Sequence, residues 1–457
     1  MEKLAISEAL SLAVKKHNEG KLQEAEIVYR NILNKCPDNP DAMHLLGLIA
    51  HQTKKYPEAV NLISKAIQLK PNDAIYYSNL GMAYDAMGKE DESAKNWEKA
   101  LEINPYHTNA HLAHYNLGVY FKDKGKIRES LEHYDKAIEL NKEFFDAVWN
   151  RSFIQLLLGR FKEGWQGYES RFKKEKPSDS RIFNKPEWSG SPLNGKKILI
   201  VSEQGFGDNI QFIRYIPLVK ERGGYVILEC KKELRSLFEG FPGIDEFTEK
   251  EANAPNIDYD FYVYIMSLPR VFNTDLNSIP NSASNSPAYL RANSKLVEKF
   301  RKKFNTTNFK IGITWSGNPY QDNDQNRSTT FEKFKSLKKI PGISLFSLQK
   351  GEASKQLDDS EIINLEDEII DFSDTAAIIQ NMDLIISVDT SVAHLAGAMG
   401  KPTWTLLSFI PDWRWLLDRN DCPWYPSMKL FRQKKPGDWN SVFNEVRKEL
   451  KSRLYKK

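Results

Sequence analysis

The chain has 457 residues, of which 40% are hydrophobic and 28% charged, and this composition indicates a folded protein of about three domains and excludes a mostly disordered one. Its 65 Lys and Arg residues against 61 Asp and Glu leave a formal charge of +4, which is too balanced to indicate a nucleic-acid partner. No apolar run approaches the ~18 residues of a membrane span, and Glu2 and Glu8 interrupt the first apolar stretch, so the sequence predicts a cytoplasmic protein without a membrane span.

The first third of the chain is a repeat array. Leu46-Gly47 recurs as Leu80-Gly81, 34 residues later, and Leu117-Gly118 begins a further copy three residues late. A small residue on one helix and a large aromatic residue on the next let two antiparallel helices pack closely, and a proline then ends the unit. This pattern resembles the tetratricopeptide repeat. It predicts an α-solenoid of about five repeats over 1–172, with a concave surface that binds a protein or peptide.

Asparagine recurs at one position of three repeats, as Asn79, Asn116 and Asn150. Stacked repeats would align these side chains on the inner helices, where an amide can donate to and accept from the backbone of a bound peptide. O-linked N-acetylglucosamine transferases carry a similar asparagine ladder for their protein acceptors. Asparagine is also simply common at this point of the repeat, and Ser11 and Leu45 interrupt the ladder, so both interpretations stay open.

Proline, serine and glycine replace the helical pattern over 173–195, which we interpret as a linker. Short apolar runs then alternate with helix-length stretches, and this alternation predicts parallel sheets covered by helices. About 260 residues exceed one such domain, so we predict two Rossmann-like halves facing a cleft, at 196–293 and 294–457. The predicted strands are 197–202, 225–230, 261–266, 311–315, 344–348, 362–365, 383–388, 402–407 and 428–431.

The first strand leads directly into a glycine-containing loop with the sequence EQGFGD, residues 203–208. Gly205 and Gly207 let the backbone approach a ligand closely, but the third glycine of a dinucleotide-binding fingerprint is absent. Asp208 stands at a predicted helix start, where an acidic side chain either caps free amides or serves the ligand. Both roles stay open for Asp208.

A second motif follows the predicted strand at 383–388. Thr390 and Ser391 supply hydroxyls and backbone amides at a helix start, which is a suitable site for an anion. His394 lies one turn further on and is the only histidine after His133. We therefore predict that His394 contacts a ligand, the alternative being a satisfied core histidine.

Two more loops follow predicted strands of the second half. The loop at 314–319 contains Asn318 and is followed by Arg327, whose planar guanidinium suits phosphate oxygens but is equally suited to solvent. Gln349 and Lys350 follow the next strand, with the same two interpretations.

Two pairs of acidic residues are candidate metal ligands. They are Asp258 and Asp260, and Asp322 and Asp324. The first pair precedes its strand, so it should lie at the far edge of the sheet, and the second lies in a polar loop. Neither pair has a nearby histidine, and the three cysteines are far apart in sequence. The sequence therefore predicts no metal, no disulfide framework and no cofactor.

The Gly205–Asp208 loop and the block from Asp389 to Pro402 resemble glycosyltransferases of the heptosyltransferase type (family 9), which have the GT-B fold. The repeat array, together with 349–351 and 411–415, resembles the bacterial repeat-fused branch of that group. The architecture is also similar to that of O-linked N-acetylglucosamine transferases. The resemblance implies an inverting, metal-independent transfer from a nucleotide-diphosphate sugar to a hydroxyl acceptor.

The resemblance also implies roles for single residues. Asp208 corresponds to the loop aspartate proposed as general base in heptosyltransferases, with Glu203 as the fallback, and Gln204, Gly205 and Gly207 shape the acceptor-side loop. The donor-site residues are Asp389, Thr390, Ser391, His394, Arg327, Asn318, Gln349 and Lys350.

Heptosyltransferases lack the repeat array, so a protein acceptor chosen by the repeats is favoured over a lipopolysaccharide core. Two alternatives remain. One is a heptosyltransferase-like or polysaccharide-assembly transferase that its repeats dock to a partner. The other is a non-catalytic repeat scaffold.

The C-terminal stretch 442–454 has apolar residues on one face and basic residues around them. This pattern predicts a helix packed on the Rossmann-like halves. A helix lying on a membrane surface is the alternative, and it leaves peripheral membrane association open.

Overall fold

The chain divides into two units between Arg151 and Ser152, a point inside the ninth helix. A computed structural model describes residues 2–280, 288–321, 323–358 and 362–455. The first unit is helical, and the second contains two parallel sheets with helices between their strands. These features confirm the predicted combination of a repeat solenoid and an α/β region.

The helices of the first unit pack in consecutive pairs, and each pair packs on the next. Asn39 and Asp73 cap two of them, because their side chains accept hydrogen bonds from the amides of Ala42 and Ile75. The helices are α1 (Glu2–Asn18), α2 (Leu22–Lys35), α3 (Pro40–Gln52), α4 (Tyr56–Leu69), α5 (Ala74–Asp85), α6 (Glu90–Ile103), α7 (Ala110–Asp123) and α8 (Ile127–Leu140), and α9 (Phe145–Leu157) crosses the division.

Glycine and aromatic residues make close contacts within two of these pairs. A methyl group placed on Gly81 would lie 2.5 Å from Nε1 of Trp97, and one on Gly118 would lie 2.6 Å from Cε1 of Tyr134. Both aromatic side chains are buried. The predicted packing of a small residue against a large ring is therefore confirmed.

We expect Gly118→Ala to lower the free energy of unfolding by about 1–3 kcal/mol, because the new methyl group has to displace the Tyr134 ring. At a helical position with open space around it, the same change would raise the free energy of unfolding, since alanine has a more favourable helix propensity than glycine by about 1 kcal/mol. Denaturant unfolding followed by circular dichroism measures the difference. Arg128→Ala, at an exposed position of α8, is the control and should leave the free energy of unfolding nearly unchanged. Stabilisation by Gly118→Ala would contradict the close contact.

The first sheet of the second unit has four parallel strands in the order β3-β2-β1-β4. The strands are β1 (Lys197–Val201), β2 (Tyr225–Cys230), β3 (Glu246–Glu249) and β4 (Phe261–Tyr264). The helices around it are α10 (Phe161–Tyr168), α11 (Phe206–Phe212), α12 (Ile216–Lys220), α13 (Lys232–Phe238) and α14 (Leu268–Val271). Strand β3 was not predicted from the sequence.

The second sheet has six parallel strands in the order β10-β9-β8-β5-β6-β7. The strands are β5 (Phe309–Thr314), β6 (Ile343–Ser347), β7 (Ile363–Asn364), β8 (Leu384–Val388), β9 (Thr403–Leu407) and β10 (Met428–Arg432). The helices around it are α15 (Ser294–Arg301), α16 (Asp324–Arg327), α17 (Phe331–Lys338), α18 (Phe372–Asn381), α19 (Ser391–Ala398) and α20 (Trp439–Tyr455).

The second sheet has the strand order of dinucleotide-binding folds, in which the order of the strands reverses between β5 and β8. The first sheet has the corresponding reversal between β1 and β4. Parallel sheets bind ligands in the crevice outside the carboxyl ends of the strands that flank such a reversal. The loops after β1, β5 and β8 therefore occupy the positions where ligand contacts are expected.

Helix α20 packs against the core of the second sheet. Val446 and Leu450 are fully buried, in one cluster with Phe334 and Trp404. The predicted terminal helix is thus confirmed. Its apolar face packs on the core of the six-stranded sheet and is not free to contact a membrane.

The segment between the repeats and β1 packs on the first sheet. Arg181 donates from Nη1 to Oε2 of Glu229 over 2.7 Å, and Glu229 lies fully buried in β2. The amide of Trp188 donates to the carbonyl of Tyr262 in β4 over 2.8 Å. These contacts fix the segment before the chain enters β1.

Candidate functional site

Two sequence motifs meet within the second unit, although Asp208 and Asp389 lie 181 residues apart in sequence. Helix α11, which follows the loop after β1, packs on α19, which follows β8. The approach is so close that a methyl group on Gly207 would lie 2.7 Å from Cδ2 of His394. Glycine is required at position 207 because a side chain there would displace the imidazole.

Hydroxyl side chains stand at the start of α19. Thr390 precedes the helix with extended backbone, and its Oγ1 lies 2.9 Å from Oγ of Ser387. Ser391 occupies the first helical position and is half-buried. The first amides of a helix have no partner within it, and the helix dipole favours negative charge there. This end of α19 therefore suits an anion.

His394 is buried, with 6% of its surface exposed. Its Nδ1 lies 2.9 Å from the hydroxyl oxygen of Tyr425, and its ring stacks on Trp415 with centroids 5.3 Å apart. Burial, together with the positive charge of Arg414, holds its pKa well below the usual range. His394 is therefore a neutral imidazole whose orientation is fixed, and its contact with a ligand stays a prediction.

Asp389 faces the same cluster. Its Oδ2 accepts a hydrogen bond from Nε1 of Trp415 over 2.8 Å, and its Oδ1 lies 3.8 Å from Nε2 of His394. Burial and the neighbouring Asp412 carboxylate raise the pKa of Asp389 above its usual range. The negative charge of a carboxylate in these surroundings is stabilised by nearby cations.

Asp208 uses both oxygens of its carboxylate. Oδ2 accepts from the amide of Gly205 over 2.8 Å and so caps α11, and Oδ1 accepts from Nη2 of Arg414. The side chain keeps 17% of its surface exposed. The predicted cap is confirmed, and the catalytic role of Asp208 stays a prediction.

Arg414 joins the loops of the two sheets. Besides Asp208, its Nη1 donates to Oδ1 of Asp412 over 2.9 Å, and its Nε donates to Oε1 of Gln211 over 2.5 Å. Its guanidinium lies over the Trp413 ring, 4.2 Å from the centroid. The side chain is 8% exposed, so these polar contacts replace water.

Glu203 does not face the Asp208 cluster. Its carboxylate forms a bidentate pair with Arg171, with Oε2 and Oε1 each 2.9 Å from a guanidinium nitrogen. Oε1 also accepts from the amide of Met266, which follows β4, over 3.1 Å. Burial raises the pKa of Glu203, and Arg171 opposes that rise. These contacts give Glu203 a structural function between the loops after β1 and β4, which argues against its role as the fallback base.

Gln204 adopts a positive φ of 54° between Glu203 and the capped helix. Its Nε2 donates to the hydroxyl of Tyr168 over 3.0 Å, and its carbonyl accepts from Lys231. The ammonium of Lys231 lies over the ring of Phe206, 5.0 Å from the centroid. The loop after β1 is thus held by contacts on both sides.

Arg327 lies beside the β8 loop. Its Nη1 donates to the carbonyl of Asp389 over 3.1 Å, and its Nε donates to Oδ1 of Asp324 over 3.1 Å. A methyl group on Gly317 would lie 2.4 Å from its Nη2 and 2.7 Å from Oδ1 of Asp324, so a side chain there would displace this ion pair. Asn318 is exposed in that loop and accepts from the amide of Tyr320.

Gln349 and Lys350 have other partners. The Gln349 side chain accepts from the amides of Trp315 and Ser316 over 3.1 and 3.0 Å, so it holds the loop after β5. The Lys350 ammonium donates to the carbonyls of Glu366 and Ile369. The described contacts therefore direct both side chains to backbone, and their role in donor binding stays a prediction.

Arg414, Trp415 and Tyr425 were absent from the predicted site residues. Each contacts Asp208, Asp389 or His394 directly. The segment 411–415 was singled out for its resemblance, and its two tryptophans around an arginine were the available signal. Nothing local to Tyr425 indicates its hydrogen bond with His394.

The asparagine positions of the repeats lie in the first unit. Nδ2 of Asn79 lies 2.8 Å from Nε2 of His44, and Nδ2 of Asn150 donates to the Tyr115 hydroxyl over 3.0 Å. Each bond joins consecutive repeats, and Asn116 is half-buried in α7. Two of the three amides thus stabilise repeat stacking, and their role in peptide binding stays a prediction.

The acidic pairs considered as metal ligands have lysine and arginine partners. Asp258 and Asp260 bind the side chain and amide of Lys197, where β1 begins, as predicted for the far edge of the sheet. Asp324 binds Arg327, and Asp322 lies outside the described residues. Within the described ranges, no three His, Cys, Asp or Glu side chains are grouped to hold a metal ion.

Among the helices of the described chain, none combines the length and apolar character needed to cross a bilayer.

Three segments match known protein families. Residues 47–88 match the TPR repeat family and residues 72–143 the tetratricopeptide repeat family. Residues 356–416 match glycosyltransferase family 9 (heptosyltransferase). That segment contains Asp389, His394 and Arg414, and it supports glycosyltransferase activity in a broad sense.

Similar proteins cover different shares of the chain. Protein FlbA of Caulobacter vibrioides is 25% identical over 445 residues, which are 91% of this chain and 73% of that protein. Protein O-mannosyl-transferase TMTC3 of Homo sapiens is 32% identical over 91 residues, which are 20% of this chain and 10% of that protein. The crystal structure of MamA covers 36% of this chain and 94% of its own, with 21% identity and a TM-score of 0.32. The chain thus carries tetratricopeptide repeats, which suggest protein or peptide binding, followed by a segment similar to family 9 glycosyltransferases.

Proposed function

We propose that this chain is an inverting, metal-independent glycosyltransferase with the GT-B arrangement of two Rossmann-like halves. It transfers a sugar from a nucleoside-diphosphate sugar to a hydroxyl group of an acceptor that the repeats select, and that acceptor is a protein. The observation that carries the proposal is the contact of Gly207 and Asp208 with His394 and Arg414. It brings the loop after β1 to the loop after β8, where each sheet is suited to bind a ligand.

The donor diphosphate binds at the start of α19. Thr390 and Ser391 offer hydroxyls and amides there, and Arg327 lies beside them through its bond to the Asp389 carbonyl. The leaving diphosphate gains negative charge in the transition state, so fixed amides and an arginine lower the barrier without a metal. The neutral His394 adds a hydrogen-bonding imidazole without a second positive charge.

The reaction is a single displacement. The acceptor oxygen attacks the anomeric carbon, the bond from that carbon to the diphosphate oxygen breaks, and the nucleoside diphosphate leaves. The proton of the acceptor hydroxyl moves to the carboxylate of Asp208, which has to lie within hydrogen-bond reach of that hydroxyl. One displacement inverts the configuration at the anomeric carbon.

The repeats bring the acceptor to this site in the cytoplasm. Stacked tetratricopeptide repeats present a continuous surface to a peptide, and the match over 72–143 supports that use here. A protein acceptor thus explains why a transferase carries this array.

A panel of UDP-, GDP- and ADP-sugars tests the proposal with the full chain. We expect slow release of one nucleoside diphosphate in the absence of acceptor, and the same rate when EDTA is present. Asp421→Asn, which alters an exposed pair with Arg419, is the control and should match the parent. If EDTA abolishes the release, the proposed metal independence is contradicted. If no donor releases a nucleoside diphosphate, the proposed enzymatic activity is contradicted.

A non-catalytic scaffold is the second candidate, because both oxygens of Asp208 are already engaged. The same panel separates the two. A scaffold binds a partner through the repeats and releases no nucleoside diphosphate.

A further inference from the structure

Arg414 holds together the two loops of the candidate site. It comes from the segment after β9, and it contacts Asp208 and Gln211 of α11 and Asp412 beside it. Every one of its guanidinium nitrogens therefore has a partner in this structure. Two of those partners are carboxylates, and carboxylates are the groups with which an incoming anion competes.

The charges around the start of α19 show why this competition matters. Asp389 and Asp412 are carboxylates close to Arg414, and Asp208 is a third. Arg327, the other cation beside Asp389, is paired with Asp324. A donor diphosphate adds at least two more negative charges, so its binding requires a cation that a carboxylate now neutralises.

Arg414 is placed to supply that cation. The next residue, Trp415, donates to Asp389 and stacks on His394. The backbone of Arg414 is therefore close to the loop after β8, where the donor diphosphate is proposed to bind. The Arg414 Nη2 reaches Asp208, whereas its Nη1 is held by Asp412, two residues earlier in the chain. The bond from Nη1 to Asp412 can persist while Nη2 exchanges Asp208 for another partner. Asp412 would thus keep the guanidinium in place during the exchange.

We propose that Arg414 binds the donor diphosphate and that this binding releases Asp208 from its ion pair. The inference rests on the function proposed above and adds a donor ligand and an order of events. A diphosphate offers two phosphate groups to a planar guanidinium, so it competes well with a single carboxylate. Asp208 then keeps its cap on α11 through Oδ2, and its Oδ1 is free to accept the acceptor proton.

The exchange has a kinetic consequence. While Arg414 donates to Oδ1 of Asp208 and the Gly205 amide donates to Oδ2, neither carboxylate oxygen is free to accept the hydrogen bond of an acceptor hydroxyl. The base becomes available only after the donor is bound. The enzyme therefore binds donor before acceptor, and the acceptor alone does not meet an active base.

Calorimetry with inorganic pyrophosphate, UDP, GDP and ADP tests the exchange in EDTA at fixed ionic strength. Asp208→Asn removes the competing charge but keeps a side-chain oxygen for the Gly205 amide. We expect this variant of the full chain to bind pyrophosphate about tenfold more tightly than the parent. A residue that only caps a helix would leave the affinity unchanged.

A double-mutant cycle isolates Arg414. Arg414→Gln should weaken pyrophosphate binding, and Asp208→Asn should no longer tighten it in that background. If Arg414→Gln fails to fold, the single Asp208→Asn comparison still decides. Asp421→Asn, from the exposed Arg419 pair in the same half, controls for a general loss of negative charge and should leave the affinity unchanged.

The outcomes separate this inference from the proposed function. Tighter binding in Asp208→Asn that depends on Arg414 supports the exchange. Unchanged or weaker binding in Asp208→Asn overturns it, while nucleoside diphosphate binding by the parent leaves the donor site in place. If neither pyrophosphate nor any nucleoside diphosphate binds the parent, both proposals fail.

Discussion

Asp208→Asn is expected to lower turnover by roughly 10²–10⁴-fold, because asparagine cannot accept the proton of the acceptor hydroxyl. The fold should survive. Asparagine keeps a side-chain oxygen that can accept from the Gly205 amide, and Arg414 keeps its bond to Asp412. Initial-rate measurements with the donor found in the nucleotide-sugar panel give kcat and KM separately. A fall in kcat with an unchanged melting temperature is the expected pattern.

The control for this loss is Asp421→Asn, which removes an exposed carboxylate from the same half. It should keep the parental rate. An Asp208→Asn enzyme that turns over at nearly the parental rate would leave Asp208 as a cap and a partner of Arg414. Glu203→Gln belongs in the same series, and we expect it to change stability more than kcat because Glu203 is paired with Arg171.

Arg171→Met is expected to lower the free energy of unfolding of the second unit by about 3–5 kcal/mol. The reason is that Glu203 would remain buried without its counter-ion, and removing one member of a buried pair carries a cost of this size. Denaturant unfolding followed by tryptophan fluorescence measures the change. Arg235→Met, which removes the exposed partner of Glu239, is the control and should cost less than about 1 kcal/mol.

The loss in Arg171→Met should depend on pH. Without Arg171 the folded-state pKa of Glu203 rises further above its unfolded value, because burial already raises it. The folded state then binds more protons than the unfolded state, so stability falls as pH rises. The variant should thus be closest to the parent in acid. A deficit that is equal at pH 5 and pH 8 would contradict the buried, unpaired carboxylate.

The strands of both sheets could be predicted because buried parallel strands form continuous apolar runs, as in β1 and β8. Strand β3 could not. It pairs with β2 alone, at the edge of the sheet, and both of its glutamates are exposed. An edge strand with polar ends has no apolar run to mark it.

The candidate site shows the same limit at the level of side chains. The sequence indicated that Asp208 caps a helix, because a cap depends on residues three positions apart. It did not indicate Arg414, which lies 206 residues further on. The partners of Glu203 and Asn79, which are Arg171 and His44, were not indicated for the same reason, since they come from other elements.

The two units also differ in how far apart along the chain their contacting residues lie, and this difference has a consequence for folding. Gly81 and Trp97 meet within one helical pair, whereas β1 pairs Leu199 with Tyr262 and β5 pairs Ile311 with Leu384. Local contacts form quickly, and distant strand pairings form slowly because the intervening chain has to be closed first. During synthesis, the helical pairs can therefore form as they leave the ribosome. Each sheet has to wait for a strand that is made much later, β4 in the first sheet and β8 in the second, and until then one edge of β1 or β5 is open to aggregation.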